Sequence, residues 1–146
     1  EYAHAMRLIA DEVAQRLAAR GWTHIGVHDL TAAIGRMEAA AVAFTMARDI
    51  ALRKSIPTAE KQVVNKALIS VERAFVRSEG LHGRPWFRNV IYAADADNGY
   101  TNMPFPTIKE AIRAGDQERT IREIADLVTR FNLATEILSK TAQRLQ

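Results

Sequence analysis

The sequence of 146 residues contains no cysteine. This absence excludes disulfide bonds, zinc sites built from thiolates and cysteine nucleophiles. The longest uninterrupted apolar run covers only residues 39–44, whereas a helix needs roughly 20 apolar residues to span a bilayer. We therefore predict no transmembrane segment and no membrane contact by this domain.

Long runs of like charge are also missing. The formal net charge is +3, and acidic residues alternate with basic ones along the chain. Nucleic-acid-binding proteins usually carry a basic tail or stripe, so we expect no nucleic-acid partner. Arg84 and Arg88 flank Trp86 and could stack on bases, but no extended basic groove accompanies them.

The residues that are present indicate one globular domain over residues 1–146. Hydrophobic residues make up 48% of the chain and charged residues 25%, which is ordinary for a globular protein. A domain of this size buries roughly 70% of the surface that its unfolded chain exposes. Because the sequence begins at Glu1 rather than at a methionine, we expect it to be a piece of a larger protein.

Apolar residues recur every three or four positions over most of the chain, which is typical of amphipathic helices. Asp29, Thr58 and Asp116 are candidate N-caps. Residues 22–28 connect the first two helices, and Trp22 could pack this connector onto the core. The pattern predicts long helices over residues 2–20, 29–54, 58–77 and 116–144 and a short one over residues 107–114. The predicted fold class is all-α, a four-helix-type bundle with an additional short helix and a long aromatic-rich loop.

The loop over residues 78–106 has no helical period. It holds five of the ten aromatic residues in a fifth of the length, and residues 89–93 favour a short extended piece. Long aperiodic loops are usually functional or disordered, and the aromatics argue against disorder. One interpretation is a hydrophobic lid that closes one end of the bundle. Such a lid does not explain Tyr100, because Asn98 and Gly99 predict a turn that presents its ring at a surface.

No constellation of catalytic or metal-binding residues stands out. His24 and His28 are four residues apart, but Gly26 lies between them and disfavours the helix that a shared metal site would need. A calcium loop starting at Asp95 would lack the glycine at its sixth position and the glutamate at its twelfth. Neither a GxSxG motif nor a glycine-rich phosphate loop occurs. We predict no catalytic residue, no metal ligand and no cofactor in this chain.

Several short motifs then occur in a recognisable order. They are VERAF at 71–75, GL at 80–81, RPWFR at 84–88, VIYA at 90–93, NGY at 98–100 and FP at 105–106. This series resembles the C-terminal domain of the transferrin receptor and glutamate carboxypeptidase group. The predicted helices on both sides also fit that domain in length and order, so the resemblance covers the whole chain.

The resemblance implies a helical dimerisation domain that forms a homodimer. It also implies a preceding peptidase domain, outside this chain, that binds zinc through its own His, Asp and Glu residues. The parent protein would then be a zinc metallopeptidase of the carboxypeptidase or aminopeptidase type, a hydrolase of peptide substrates. Relatives in this group act outside the cytosol, which favours a periplasmic or secreted location.

The resemblance further implies that the aromatic loop reaches the peptidase cleft. In glutamate-releasing members, the tyrosine that matches Tyr100 helps to hold the carboxylate of the substrate's C-terminal residue, together with a lysine just before it. In this chain that lysine position is Gly99, which removes a cationic anchor and puts a preference for glutamate in doubt. The predicted substrate-binding residues are Tyr100, Gly99 and Asn98.

Two other functions stay open on the sequence alone. The chain could be a stand-alone helical adaptor or scaffold domain without peptidase activity. It could also be a small enzyme that uses Tyr100, Asp95 or His82 as acid–base groups. The receptors of the group have lost catalysis, so the resemblance does not by itself imply an active peptidase.

Overall fold

The computed structural model describes residues 2–54 and 56–146. In chain order the elements are α1 (Tyr2–Ala19), α2 (His28–Arg53), α3 (Thr58–Ala74), β1 (Tyr92–Ala94), β2 (Asn102–Pro104), α4 (Pro106–Arg113) and α5 (Gln117–Arg144). The two strands pair antiparallel and hold only three residues each. The predicted all-α fold class is therefore confirmed for the described part of the chain.

The helices begin within one residue of their predicted starts, but only one of the three predicted N-caps is correct. Asp116 is the N-cap of α5, and its side chain accepts the backbone N–H of Arg119 at 2.9 Å. The prediction of Asp29 and Thr58 as caps was wrong, since both lie inside their helices, which begin after residues 27 and 57. Asp29 instead lies in the first turn of α2, where its charge favours the positive end of the helix dipole.

The third helix is shorter than predicted. It ends at Ala74 rather than at residue 77, because the backbone beyond it pairs with the loop. The N–H of Arg77 donates to the carbonyl of Arg88 at 2.8 Å, and the N–H of Val90 donates to the carbonyl of Phe75 at 3.0 Å. These bonds replace the helical ladder and join the end of α3 to the loop.

The two longest helices, α2 and α5, form the centre of the fold and run in the same direction. Arg36 near the start of α2 donates to Asn132 of α5 at 2.9 Å, and Leu52 near its end lines the same cavity as Leu145. The α1 helix packs on α2, and both α3 and α4 pack on α5. Phe131 of α5 lies in the middle of the core.

The aromatic loop is packed against this core over most of its length. Val90, Ile91 and Phe105 are buried in it, and the connector residue Trp22 is also buried, as predicted. Gly80 has a φ of 71°, and a Cβ there would lie 2.2 Å from the carbonyl oxygen of Pro85, so no other residue fits without a backbone shift.

The interpretation of the loop as a hydrophobic lid holds only in part. The side chain of Phe87 is half-buried, but Trp86 is 71% exposed and Tyr92 is also exposed. The loop thus both covers the core and presents aromatic rings to its surroundings.

Candidate functional site

The predicted substrate-binding residues lie together at the tip of the hairpin between β1 and β2. The N–H of Asp95 donates to the carbonyl of Thr101 at 2.8 Å, and the N–H of Thr101 donates to the carbonyl of Asn98 at 3.0 Å. The Asn98 side chain accepts the N–H of Tyr100 at 3.4 Å. The side chain of Tyr100 is fully exposed, so the phenol is available to a ligand or to another domain.

Arg113 at the end of α4 fastens this turn to the rest of the fold. Its two terminal nitrogens donate to the two carboxylate oxygens of Asp95, each at 3.0 Å, and it also pairs with Asp97. The hydrogen bonds from Arg113 are the main reason that the pKa of Asp95 lies well below its usual range. Because α4 buries Ile108 and Ala111 in the core, the turn is tied to a rigid element.

We expect an Arg113→Met change to loosen the turn without unfolding the domain. Hydrogen exchange at the amides of Asp97 and Thr101 should speed up by about 10-fold, because the bidentate ion pair that holds Asp95 is lost. The pair stabilises the fold only while Asp95 is ionised, and the pKa of Asp95 is depressed on folding. Its contribution is therefore present above about pH 4 and lost as the pH falls below it. An Arg122→Met control, on an exposed ion pair of α5, should leave these amides unchanged, and an equal acceleration in both variants would contradict this role of Arg113.

Gly99 occupies an open position in the turn. A Cβ placed there meets no atom within 4 Å, and its φ is not in the left-handed region. The backbone therefore does not require glycine at this site, and a lysine side chain fits without strain. The turn therefore has no structural need for glycine at position 99.

The arginine that sequence reasoning considered for stacking on nucleic acid is used inside the protein. Arg84 donates to the carbonyl of Ala94 at 2.7 Å, pairs with Glu110 and lies 4.9 Å from the centre of the Phe87 ring. Its side chain is mostly buried. It supports the β1 end of the hairpin rather than facing a partner.

The three candidate acid–base groups have different surroundings in the described part of the chain. Asp95 is held by Arg113, which leaves it unsuited to act as a base, while His82 and Tyr100 are exposed to solvent. Among residues 2–54 and 56–146, no three His, Asp or Glu side chains come together as metal ligands would.

A second feature is an exposed apolar surface on α2, which we call the α2 face. It comprises Ala39, Val42, Ala43, Met46 and Ile50. The three large side chains are 56%, 63% and 52% exposed, although α2 packs its other side, with Phe44 and Ala47, into the core. Sequence reasoning missed this surface, because the alanine-rich helix is apolar on nearly every side.

A third feature is a pair of cavities that are each lined by residues of both α2 and α3, which we call the α2–α3 groove. The two cavities have volumes of about 580 Å³ and 250 Å³. Its walls include Met37, Arg48 and Leu52 of α2 and Lys61, Leu68, Ile69 and Glu72 of α3. Both cavities are lined by apolar and charged side chains.

The α2 helix is unusual in one further respect. Among the described residues, it alone is long and apolar enough to cross a membrane by length and composition. The core helix of a soluble protein can share these properties, but only 33% of the apolar window of α2 is buried in the described structure. The exposed share includes the large side chains of the α2 face.

Comparison with known proteins identifies the fold's family. Residues 25–139 match the model of the transferrin receptor-like dimerisation domain. The chain is 34% identical over 67 residues to a probable glutamate carboxypeptidase of Arthroderma benhamiae, which covers 46% of this chain and 9% of the relative. It is 32% identical over 65 residues to an inactive zinc metalloprotease of Schizosaccharomyces pombe, which covers 44% of this chain and 8% of the relative.

A plant relative gives a similar match. A probable glutamate carboxypeptidase of Zea mays is 36% identical over 52 residues, which covers 36% of this chain and 7% of the relative. The matched segments thus span less than a tenth of each of these three relatives. The family model, in contrast, covers most of this chain, including all of α2, the Tyr100 turn and most of α5. The chain therefore belongs to the family of transferrin receptor-like dimerisation domains.

Proposed function

We propose that this chain is the dimerisation domain of a zinc-dependent exopeptidase-like protein and pairs with a second copy of itself. We further propose that its hairpin turn carries Tyr100 into the substrate pocket of a peptidase domain outside this chain. The first part rests on the exposed α2 face of a chain that belongs to a family of dimerisation domains. The second part rests on the exposed Tyr100 on a turn that Arg113 fixes.

Self-association follows from the cost of leaving apolar surface in water. Each square ångström of apolar surface that is buried contributes about 25 cal/mol, and large exposed apolar patches mark interaction sites. Closed twofold dimers are the commonest way for identical chains to cover such a surface. Light scattering over a dilution series tests this part: we expect a dimer that dissociates on dilution, and a monomer at every concentration would contradict it.

The turn is suited to present one hydrogen-bond donor at a fixed position. Tyr100 offers a phenolic O–H, which can donate to a carboxylate. Binding sites gain affinity when their groups are held in place before the ligand arrives, and the ion pairs of Arg113 with Asp95 and Asp97 provide that restraint. The carboxylate of a peptide's C-terminal residue is the ligand that the family resemblance suggests.

Gly99 gives the proposal a test by gain of function. In the full-length protein, we expect Gly99→Lys to raise kcat/KM for peptides ending in glutamate by about 10- to 100-fold, since a new charge-assisted hydrogen bond contributes about 1.5–3 kcal/mol. The Tyr100→Phe variant should raise KM for all peptides about 10-fold and change kcat little. A matched Gly26→Lys variant alters an exposed glycine outside the turn, where φ is not left-handed and a Cβ meets no atom within 4 Å, and it should leave KM unchanged.

Different results would separate the two parts of the proposal. If neither Gly99→Lys nor Tyr100→Phe moves KM while the protein hydrolyses peptides, the turn does not reach the pocket. If the full-length protein with bound zinc hydrolyses no peptide, the second candidate function applies: a dimeric scaffold domain of a protein without peptidase activity. The relative named an inactive zinc metalloprotease favours keeping that candidate.

A further inference from the structure

We infer that the α2 face is the surface through which two copies of this domain pair, with their α2 helices antiparallel about a twofold axis near Val42 and Met46. This inference rests on the self-association proposed above and names the surface responsible for it. Three observations carry it: the shape of the face, its charge pattern and its contrast with the α2–α3 groove.

The α2 face has the shape of a helical ridge. Val42, Met46 and Ile50 are spaced four residues apart, so their side chains lie one above another along the helix. Ala39 and Ala43 lie beside them, and their small side chains let a second helix approach closely. Such a ridge can pack into the matching rows of an identical helix.

A twofold axis requires the same patch on both sides of the interface. The convex α2 face meets this condition, because one ridge fits beside another. The α2–α3 groove does not, because two concave surfaces placed face to face leave their floors uncovered. The groove also carries Arg48, Lys61 and Glu72 among its apolar residues, whereas the centre of an interface is usually depleted in charge.

The charges around the α2 face favour the antiparallel arrangement. Residues 39–47 carry no charge, as is usual at the centre of an interface. Glu38 before this stretch pairs with Arg7 of α1, and Arg48 and Asp49 after it pair with each other. Arg53 ends the helix: in an antiparallel pair the Arg53 side chains of the two copies lie at opposite ends of the interface, whereas in a parallel pair they meet, which opposes association.

Single cysteines provide a clean test, because the chain has none of its own. We would introduce Met46→Cys on the α2 face and, as a matched control, Ile69→Cys on the α2–α3 groove, where the native side chain is also about half exposed. Each variant is treated with a short bis-maleimide and resolved by denaturing electrophoresis, and light scattering gives its mass before treatment. We expect at least 5-fold more covalent dimer from Met46→Cys than from Ile69→Cys.

The outcomes separate failure of the inference from failure of the proposed function. A dimer by light scattering that is linked through position 69 and not through position 46 would overturn the inference and leave self-association standing. A dimer that neither position links would do the same. A monomer that sediments with vesicles of phosphatidylcholine and phosphatidylglycerol would overturn both and assign the α2 face to a lipid surface.

Discussion

Replacing Phe131 with alanine should lower the free energy of unfolding by about 3–5 kcal/mol, the range for truncating a buried aromatic side chain. Phe131 is buried in the middle of α5, and its ring meets those of Phe75 and Phe105 at centroid distances of 5.0 Å and 6.3 Å. Both contacts are edge-on, the arrangement that aromatic pairs prefer. The substitution therefore removes contacts to α3 and to the loop at once.

Urea denaturation followed by circular dichroism measures this change as a lower midpoint with an unchanged slope. The matched control is Leu133→Ala on the same helix, where the native side chain is exposed and truncation should change the midpoint little. If the two substitutions lowered the midpoint equally, the description of Phe131 as the centre of the core would be wrong.

The second large effect concerns Arg77, which ties the end of α3 to α5. Arg77 is only 8% exposed, and its guanidinium donates to Glu123 at 3.2 Å and 2.5 Å and to Asp126 at 2.7 Å. The hydrogen bonds to Glu123 are the main cause of a raised pKa for Arg77. Arg130 completes the cluster, since it donates to Asp126 at 2.7 Å and to the carbonyl of Ala74 at 2.9 Å.

We expect Glu123→Ala to cost about 1.5–3 kcal/mol of unfolding free energy, because the buried Arg77 loses its two hydrogen bonds to Glu123 and keeps only the one to Asp126. Glu136→Ala is the control, since Glu136 forms an exposed pair with Lys140 on the same helix, and exposed pairs contribute little. A double variant, Arg77→Met with Glu123→Met, should recover part of the loss. A double variant less stable than Glu123→Ala would contradict the role of the buried Arg77 charge.

The helices were predictable because the hydrophobic period records which side of each helix faces the core. The caps were less so: Asp29 has the right chemistry for an N-cap, yet α2 begins one residue earlier and its N-cap, Val27, makes no side-chain hydrogen bond. Helix starts depend on how the connector packs, and Trp22 and Ile25 fix that packing in three dimensions. Local sequence does not contain this information.

The two functional features differed in how far the sequence could reveal them. The turn at Asn98 and Gly99 was readable, because its residue types favour one local geometry. The ion pair that fixes the turn was not readable, since Arg113 lies 18 residues from Asp95 and meets it only in the folded structure. The sequence did not show which side of α2 is exposed, because an alanine-rich helix has little difference in hydrophobicity between its sides. Only the folded structure shows that the α2 face is uncovered.

The central claim is that this domain self-associates through α2, and charge placed on that surface tests it most directly. Light scattering would compare the unmodified chain with Met46→Glu and Ile69→Glu at equal concentrations. We predict about twice the mass of one chain for the unmodified protein and for Ile69→Glu, and the mass of a single chain for Met46→Glu, because two carboxylates would be buried near the twofold axis. A Met46→Glu variant that remains dimeric would contradict the account.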